Sequence, residues 1–196
     1  MEPTQQEPNS RPPDPPSGPV ESRSWFATHG RDLRFLVVFA TLMGLYYVAT
    51  TTATMKERFF PWYLQFNAQA SVGILNACGY EDVKVSRTSL SSSKGTISVE
   101  RGCDAVEPTA LFAAAVLASP VAFATKLPAV VAGALVLAVV NIVRIISLFL
   151  SAAHWRKAFD LLHLDVWQAA FIFLSLLLWA LWAAWATKRQ KRLTGV

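Results

Sequence analysis

Asn141-Ile142-Val143-Arg144-Ile145-Ile146-Ser147 places an arginine inside a long apolar run from Leu127 to Trp155. A guanidinium keeps its proton in any protein environment. Carrying one into a bilayer costs about 2.5–3.5 kcal/mol on insertion scales, so such a charge usually faces the bundle interior or a wet cavity. Asn141, Arg144, Ser147 and Ser151 recur at intervals of three or four residues, which puts them on one helical face. A polar stripe on a membrane helix calls for a function.

Outward from that stripe, the composition is 53% hydrophobic and 16% charged. Most of the apolar residues fall in four uncharged runs, each close to the roughly 17–25 residues that cross a bilayer as a helix. The expected fold is an all-α membrane protein: a four-span helical bundle with spans at about 34–55, 106–125, 127–152 and 165–187. The membrane domain then covers 31–187, and 56–104 forms an extracytoplasmic insertion. In it, Leu64–Ala77 is expected as a short helix ending at Gly79. Residues 82–86 and 96–100 alternate apolar and polar around a Ser-Gly-rich connection, which predicts a small β-hairpin. Small residues at Ala110, Ala114 and Ala118, and at Ala134 and Ala138, predict close helix contact.

Residues 1–30 are a Pro-rich tail, expected to be disordered, and 188–196 are a basic tail. Arg23, Arg31 and Arg34 precede the first span, and Lys188-Arg189-Gln190-Lys191-Arg192 follows the last. The excess of cations on these flanks puts both termini in the cytoplasm, with the first span as an uncleaved anchor. Lys56 and Arg58 count against this orientation. The net charge of +5 needs no nucleic acid as partner, because the cations bracket the spans and no recognition motif accompanies them.

With that topology, Cys103, Arg144 and His163 arrive from separate segments at the same outer membrane face. A thiol, a fixed cation and an imidazole form a set suited to acyl transfer: attack on a carbonyl, oxyanion stabilisation and proton handling. The cation and imidazole are expected to lower the thiol pKa. Asn141 and Ser147 share the face of Arg144 and are supporting candidates, as are Glu107, one turn from Cys103, and Gln168, which with Asp165 matches a capping box. Ordinary explanations stay open for each member. Cys103 could be structural or pair with Cys78, Arg144 could snorkel to the interface, and His163 could be an interfacial residue. His154 competes as a base, although His154-Trp155-Arg156-Lys157 reads as an anchor. The His and Cys spacings match no zinc or haem motif, and no cofactor is expected.

Three blocks carry a family resemblance: Arg101-Gly102-Cys103-Asp104-Ala105-Val106-Glu107, Asn141 to Phe149, and His163-Leu164-Asp165-Val166-Trp167-Gln168. In this order they resemble the signature blocks of the exosortase/archaeosortase family, closest to the exosortase H branch. The resemblance implies a cysteine transpeptidase or protease of the bacterial cytoplasmic membrane, with its active site on the extracytoplasmic side. Its implied partners are the lipid bilayer and exported, membrane-anchored substrates bearing a C-terminal sorting signal of motif, helix and basic cluster. It assigns catalytic roles to Cys103, Arg144 and His163. Asp104-Ala105 departs from the family pattern of a polar residue followed by glycine; alanine is accommodated if residue 105 is helical. A competing reading is a non-catalytic assembly subunit or small transporter component that uses Arg144 to bind lipid or a partner.

Overall fold

The computed structural model describes the backbone of residues 25–155, 159 and 162–194; the side chains of 25–29, 163, 164, 193 and 194 lie outside the described residues. The expected Pro-rich tail therefore lies almost wholly outside them. Two compact units divide at Gly30, and the architecture below belongs to Arg31–Val196. In chain order the helices are α1 (Trp25–Thr51), α2 (Phe60–Ala77), α3 (Val106–Ala118), α4 (Phe123–His154) and α5 (Trp167–Thr194). Strands β1 (Lys84–Ser86), β2 (Ser89–Ser92) and β3 (Gly95–Ser98) lie between α2 and α3. π-Helical turns, Met55–Phe59 and Leu162–Val166, lead into α2 and α5.

Among the described residues, three helices are long and apolar enough to cross a membrane: Gly30–Thr51, Phe123–His154 and Trp167–Arg192. The expected span at 106–125 is instead a helix of 13 residues, about 20 Å long at 1.5 Å per residue. Pro120 explains the shortfall. It has no N–H to donate and disfavours the helical conformation in the residue before it. Ser119 is accordingly extended, at φ −60° and ψ 139°. The uncharged run is continuous, but the helix stops inside it.

The expected hairpin also needs correction. Its two flanking strands do not pair with each other; the Ser-rich connection is itself the central strand of an antiparallel β1-β2-β3 sheet. In Ser89-Leu90-Ser91-Ser92 only Leu90 is fully buried, opposite Val85 and Ile97. The helix expected at 64–77 is present and begins earlier, at Phe60, with Pro61 in its first turn where a missing N–H costs nothing. It terminates where Gly79 takes φ +94°.

Two apolar clusters organise the bundle. One joins Leu64, Ala68, Val72 and Leu75 of α2 to Val83, Leu90 and Val99 around the sheet and to Ile145 and Phe149 of α4. The other joins Ala105, Phe112 and Val116 on or beside α3 to Leu137 of α4 and Phe171 of α5. Close approach of α3 and α4 depends on Gly133. A Cβ built there would lie 2.1 Å from the buried Phe112 ring. Of the alanine rows, Ala114 is buried, and Ala110, Ala134 and Ala138 line an apolar groove. α1 presents most of its apolar surface outward and meets α5 through Phe35 and Trp179, with ring centroids 5.8 Å apart.

Candidate active site

Cys103 belongs to the first cluster and Ala105 to the second, so the turn 102–105 is anchored in both cores. Gly102 enters it at φ +94°, a conformation that L side chains rarely adopt, and Asp104 closes it. The Asp104 Oδ1 accepts the Val106 N–H at 3.2 Å, which satisfies one exposed donor at the start of α3. Ala105 is not helical, so the condition under which alanine would be accommodated there is not met. It sits at φ 54° and ψ 11°, in the left-handed region, so this chain places alanine where glycine would be unstrained.

α4 brings Arg144 against this turn from the other side. Arg144 is only 3% exposed. Its Nη1 donates to the Gly102 carbonyl at 3.2 Å and its Nη2 to Cys103 Sγ at 3.7 Å. The guanidinium carbon lies 5.5 Å from the centre of the Phe171 ring, within cation–π range. Burial pushes the Cys103 thiol above its ordinary pKa. Arg144 pulls it the other way, and Asp104 reinforces the rise. The expectation of a lowered thiol pKa is therefore reversed, because losing water outweighs one guanidinium. Burial likewise raises the Asp104 carboxyl, against the Val106 N–H and the cations Arg101 and Arg144.

The supporting candidates take distinct places. The buried Asn141 donates to Asn67 Oδ1 on α2 at 3.4 Å. Asn141 Oδ1 and Arg144 Nε, both buried, have no hydrogen-bond partner among the described residues. Ser147 donates to the Arg144 carbonyl at 2.8 Å and accepts from Trp167 Nε1 at 3.0 Å, so it ties α4 to the start of α5. Glu107 accepts the Tyr47 hydroxyl at 2.5 Å, which links α3 to α1. Glu107, Gln168 and Arg144 line one cavity of about 430 Å³ together with Arg101, Asp104 and Tyr46.

His163 lies on the π-helical turn Leu162–Val166 that leads into α5; its side chain is outside the described residues. His154 is exposed at the far end of α4, with Nδ1 3.1 Å from the Leu150 carbonyl. Cys78 and Cys103 are both thiols, the first exposed and the second buried. Sequence reasoning passed over Asn67 and Phe171. A signal for Asn67 exists: Asn67 and Ser71 lie one turn apart on the apolar face of Leu64, Ala68 and Leu75, and both are fully buried.

Several membrane-capable helices, one of them carrying a buried arginine hydrogen-bonded to a cysteine thiol, define a polytopic membrane protein with a cysteine-centred pocket. Residues 24–182 match the family model for transmembrane exosortases. The chain belongs to the transmembrane exosortase family. No curated protein and no solved structure matches it.

Proposed function

We propose that this exosortase is a cysteine transpeptidase or protease that cleaves exported proteins at a C-terminal sorting signal. The observation that carries this reading is the Arg144 fork, with one nitrogen on the Cys103 sulfur and the other on the adjacent Gly102 carbonyl. Because burial holds the resting cysteine as a thiol, the proton must leave as substrate arrives. His163 takes it, in keeping with its match to the family block. The Cys103 sulfur attacks the scissile carbonyl, and Arg144 stabilises the oxyanion that forms. Collapse breaks the C–N bond, the leaving amine receives the proton from His163, and a thioester remains. An amine acceptor or water then releases the product and restores the thiol.

The setting in this proposal is the bacterial cytoplasmic membrane, with four crossings, both termini cytoplasmic and Cys103 on the outer side. α3 is the short crossing, completed by the turn that leads into α4. The basic clusters beside α1 and at the end of α5 support this orientation. As the alternative, Arg144 would serve lipid or partner binding in a non-catalytic subunit; a guanidinium 3% exposed and turned to a thiol speaks against snorkelling.

Capture of the thioester tests the proposal. Purified enzyme incubated with a substrate should carry an acyl adduct on the Cys103 peptide that hydroxylamine removes. Turnover with no adduct on Cys103 even under acceptor starvation would count against covalent catalysis.

A further inference from the structure

Two buried amides connect α2 to the helical face that carries Arg144. Asn67 is 1% exposed and Asn141 is fully buried. A buried amide needs partners at both ends, or its desolvation is left uncompensated. Here the partners also fix which end of each amide points where. Asn67 Nδ2 donates to the Tyr63 carbonyl at 2.9 Å, so its Oδ1 faces α4 and accepts from Asn141 Nδ2 at 3.4 Å. Asn141 thus turns its donor end to α2 and keeps Oδ1 as a buried acceptor without a partner among the described residues. One turn further along α4, the Arg144 Nε–H is a buried donor in the same condition.

These two atoms complement each other: one acceptor and one donor, on residues three apart, whose Cβ atoms stand about 5–6 Å from each other. They do not bond directly, and water is the small molecule that donates to the one and accepts from the other. We propose that one buried water bridges Asn141 Oδ1 and Arg144 Nε, and that Asn67 and Asn141 position the catalytic guanidinium through it. The positioning role rests on the cysteine mechanism proposed above; the water site does not. Every hydrogen bond in the line then runs the same way, from Arg144 through the water, Asn141 and Asn67 to the Tyr63 carbonyl. Bonds in such a chain polarise and strengthen one another. The guanidinium is held at each of its nitrogens: Nη1 by Gly102, Nη2 by Cys103 and Nε by the water. Contacts at Nη1 and Nη2 alone leave the plane free to pivot about that edge, and the bond at Nε fixes it.

Nuclear magnetic resonance of the full chain in detergent, isotopically labelled at arginine Nε, tests the water site without any substrate. The Arg144 Nε–H signal, assigned by its loss in Arg144→Lys, should exchange slowly with bulk solvent and show a cross-peak to a long-lived water. Absence of that cross-peak overturns the bridge. Cleavage of a purified sorting-signal substrate tests the positioning role. Asn141→Leu, of similar volume, should lower kcat about tenfold with KM unchanged, less than the roughly 100-fold that a 1 Å misplacement can cost. Asn141→Asp keeps an acceptor oxygen for the water and should recover most of that loss. Asn67→Leu, one bond further out, should lower kcat in the same sense. Ser71→Ala removes an equally buried hydroxyl that donates within α2, to the Asn67 carbonyl, and should leave kcat unchanged. The positioning role is overturned if Asn141→Leu keeps its kcat or if Asn141→Asp falls as far as Asn141→Leu. It is equally overturned if Ser71→Ala falls as far, since the loss would then belong to core packing. A wild-type chain that shows the bound water but forms no product would instead count against the peptidase reading and leave the bridge standing.

Discussion

Arg144 Nη2 lies 3.7 Å from Cys103 Sγ while Nη1 holds the carbonyl of Gly102, the residue just before that cysteine. One planar group thus fixes both the sulfur and the backbone of the turn that carries it. A lysine has a charge but no fork and could not make both contacts in this geometry. Arg144→Lys should therefore reduce substrate processing at least about 100-fold, the usual cost of losing one oxyanion donor. Immunoblotting of a co-expressed substrate, with membrane fractions checked for the enzyme, reads the effect; processing within about threefold of wild type would argue against the fork.

Thiol reactivity follows from the same contacts. Burial and Asp104 hold the Cys103 pKa up, and Arg144 opposes them. The thiolate fraction therefore rises only as pH passes above the ordinary thiol range. At a fixed pH near 8, Asp104→Asn should speed alkylation of Cys103 and Arg144→Gln should slow it. Alkylation followed residue by residue by mass spectrometry separates Cys103 from the exposed Cys78. Opposite signs would mean that another charge controls the thiol.

Ala105 occupies left-handed backbone at φ 54°. That conformation costs an L residue about 1–2 kcal/mol, while glycine gives back about 0.4–1 kcal/mol through the freer unfolded chain. Ala105→Gly should leave a net gain of about 0.5–1 kcal/mol, visible as a raised unfolding temperature in detergent, and Ala105→Val should lower it. A fall on introducing glycine would show that the turn is not left-handed in solution.

Gly133 has no room for a side chain, because its Cβ would meet Phe112 at 2.1 Å. Gly133→Ala should destabilise the bundle by about 1–3 kcal/mol, as overpacked cores do. Phe112→Leu in the same chain should recover part of that loss, and the double-mutant cycle gives the coupling. Additive losses would place the clash elsewhere.

How far these features could be read in advance depended on whether they were local. The apolar runs and the three-to-four spacing of Asn141, Arg144 and Ser147 are local, so helices and a buried polar stripe were legible. Pro120 was legible too, but a count of uncharged residues passes over it, and α3 came out short for that reason. The middle strand was hidden because serine carries little strand preference; only the contact of Leu90 with Val85 and Ile97 selects it. The pairing of Asn141 with Asn67 spans α4 and α2, and no spacing rule reaches across two helices. The reversed thiol shift also required the fold, since burial of Cys103 depends on the sheet and α2 packed around it.

Cys103→Ala tests the central claim most directly. The alanine variant should reach the membrane at normal levels and leave a co-expressed sorting-signal substrate entirely uncleaved. Normal cleavage by a well-inserted Cys103→Ala enzyme would contradict the account, because no other described residue offers a sulfur to Arg144.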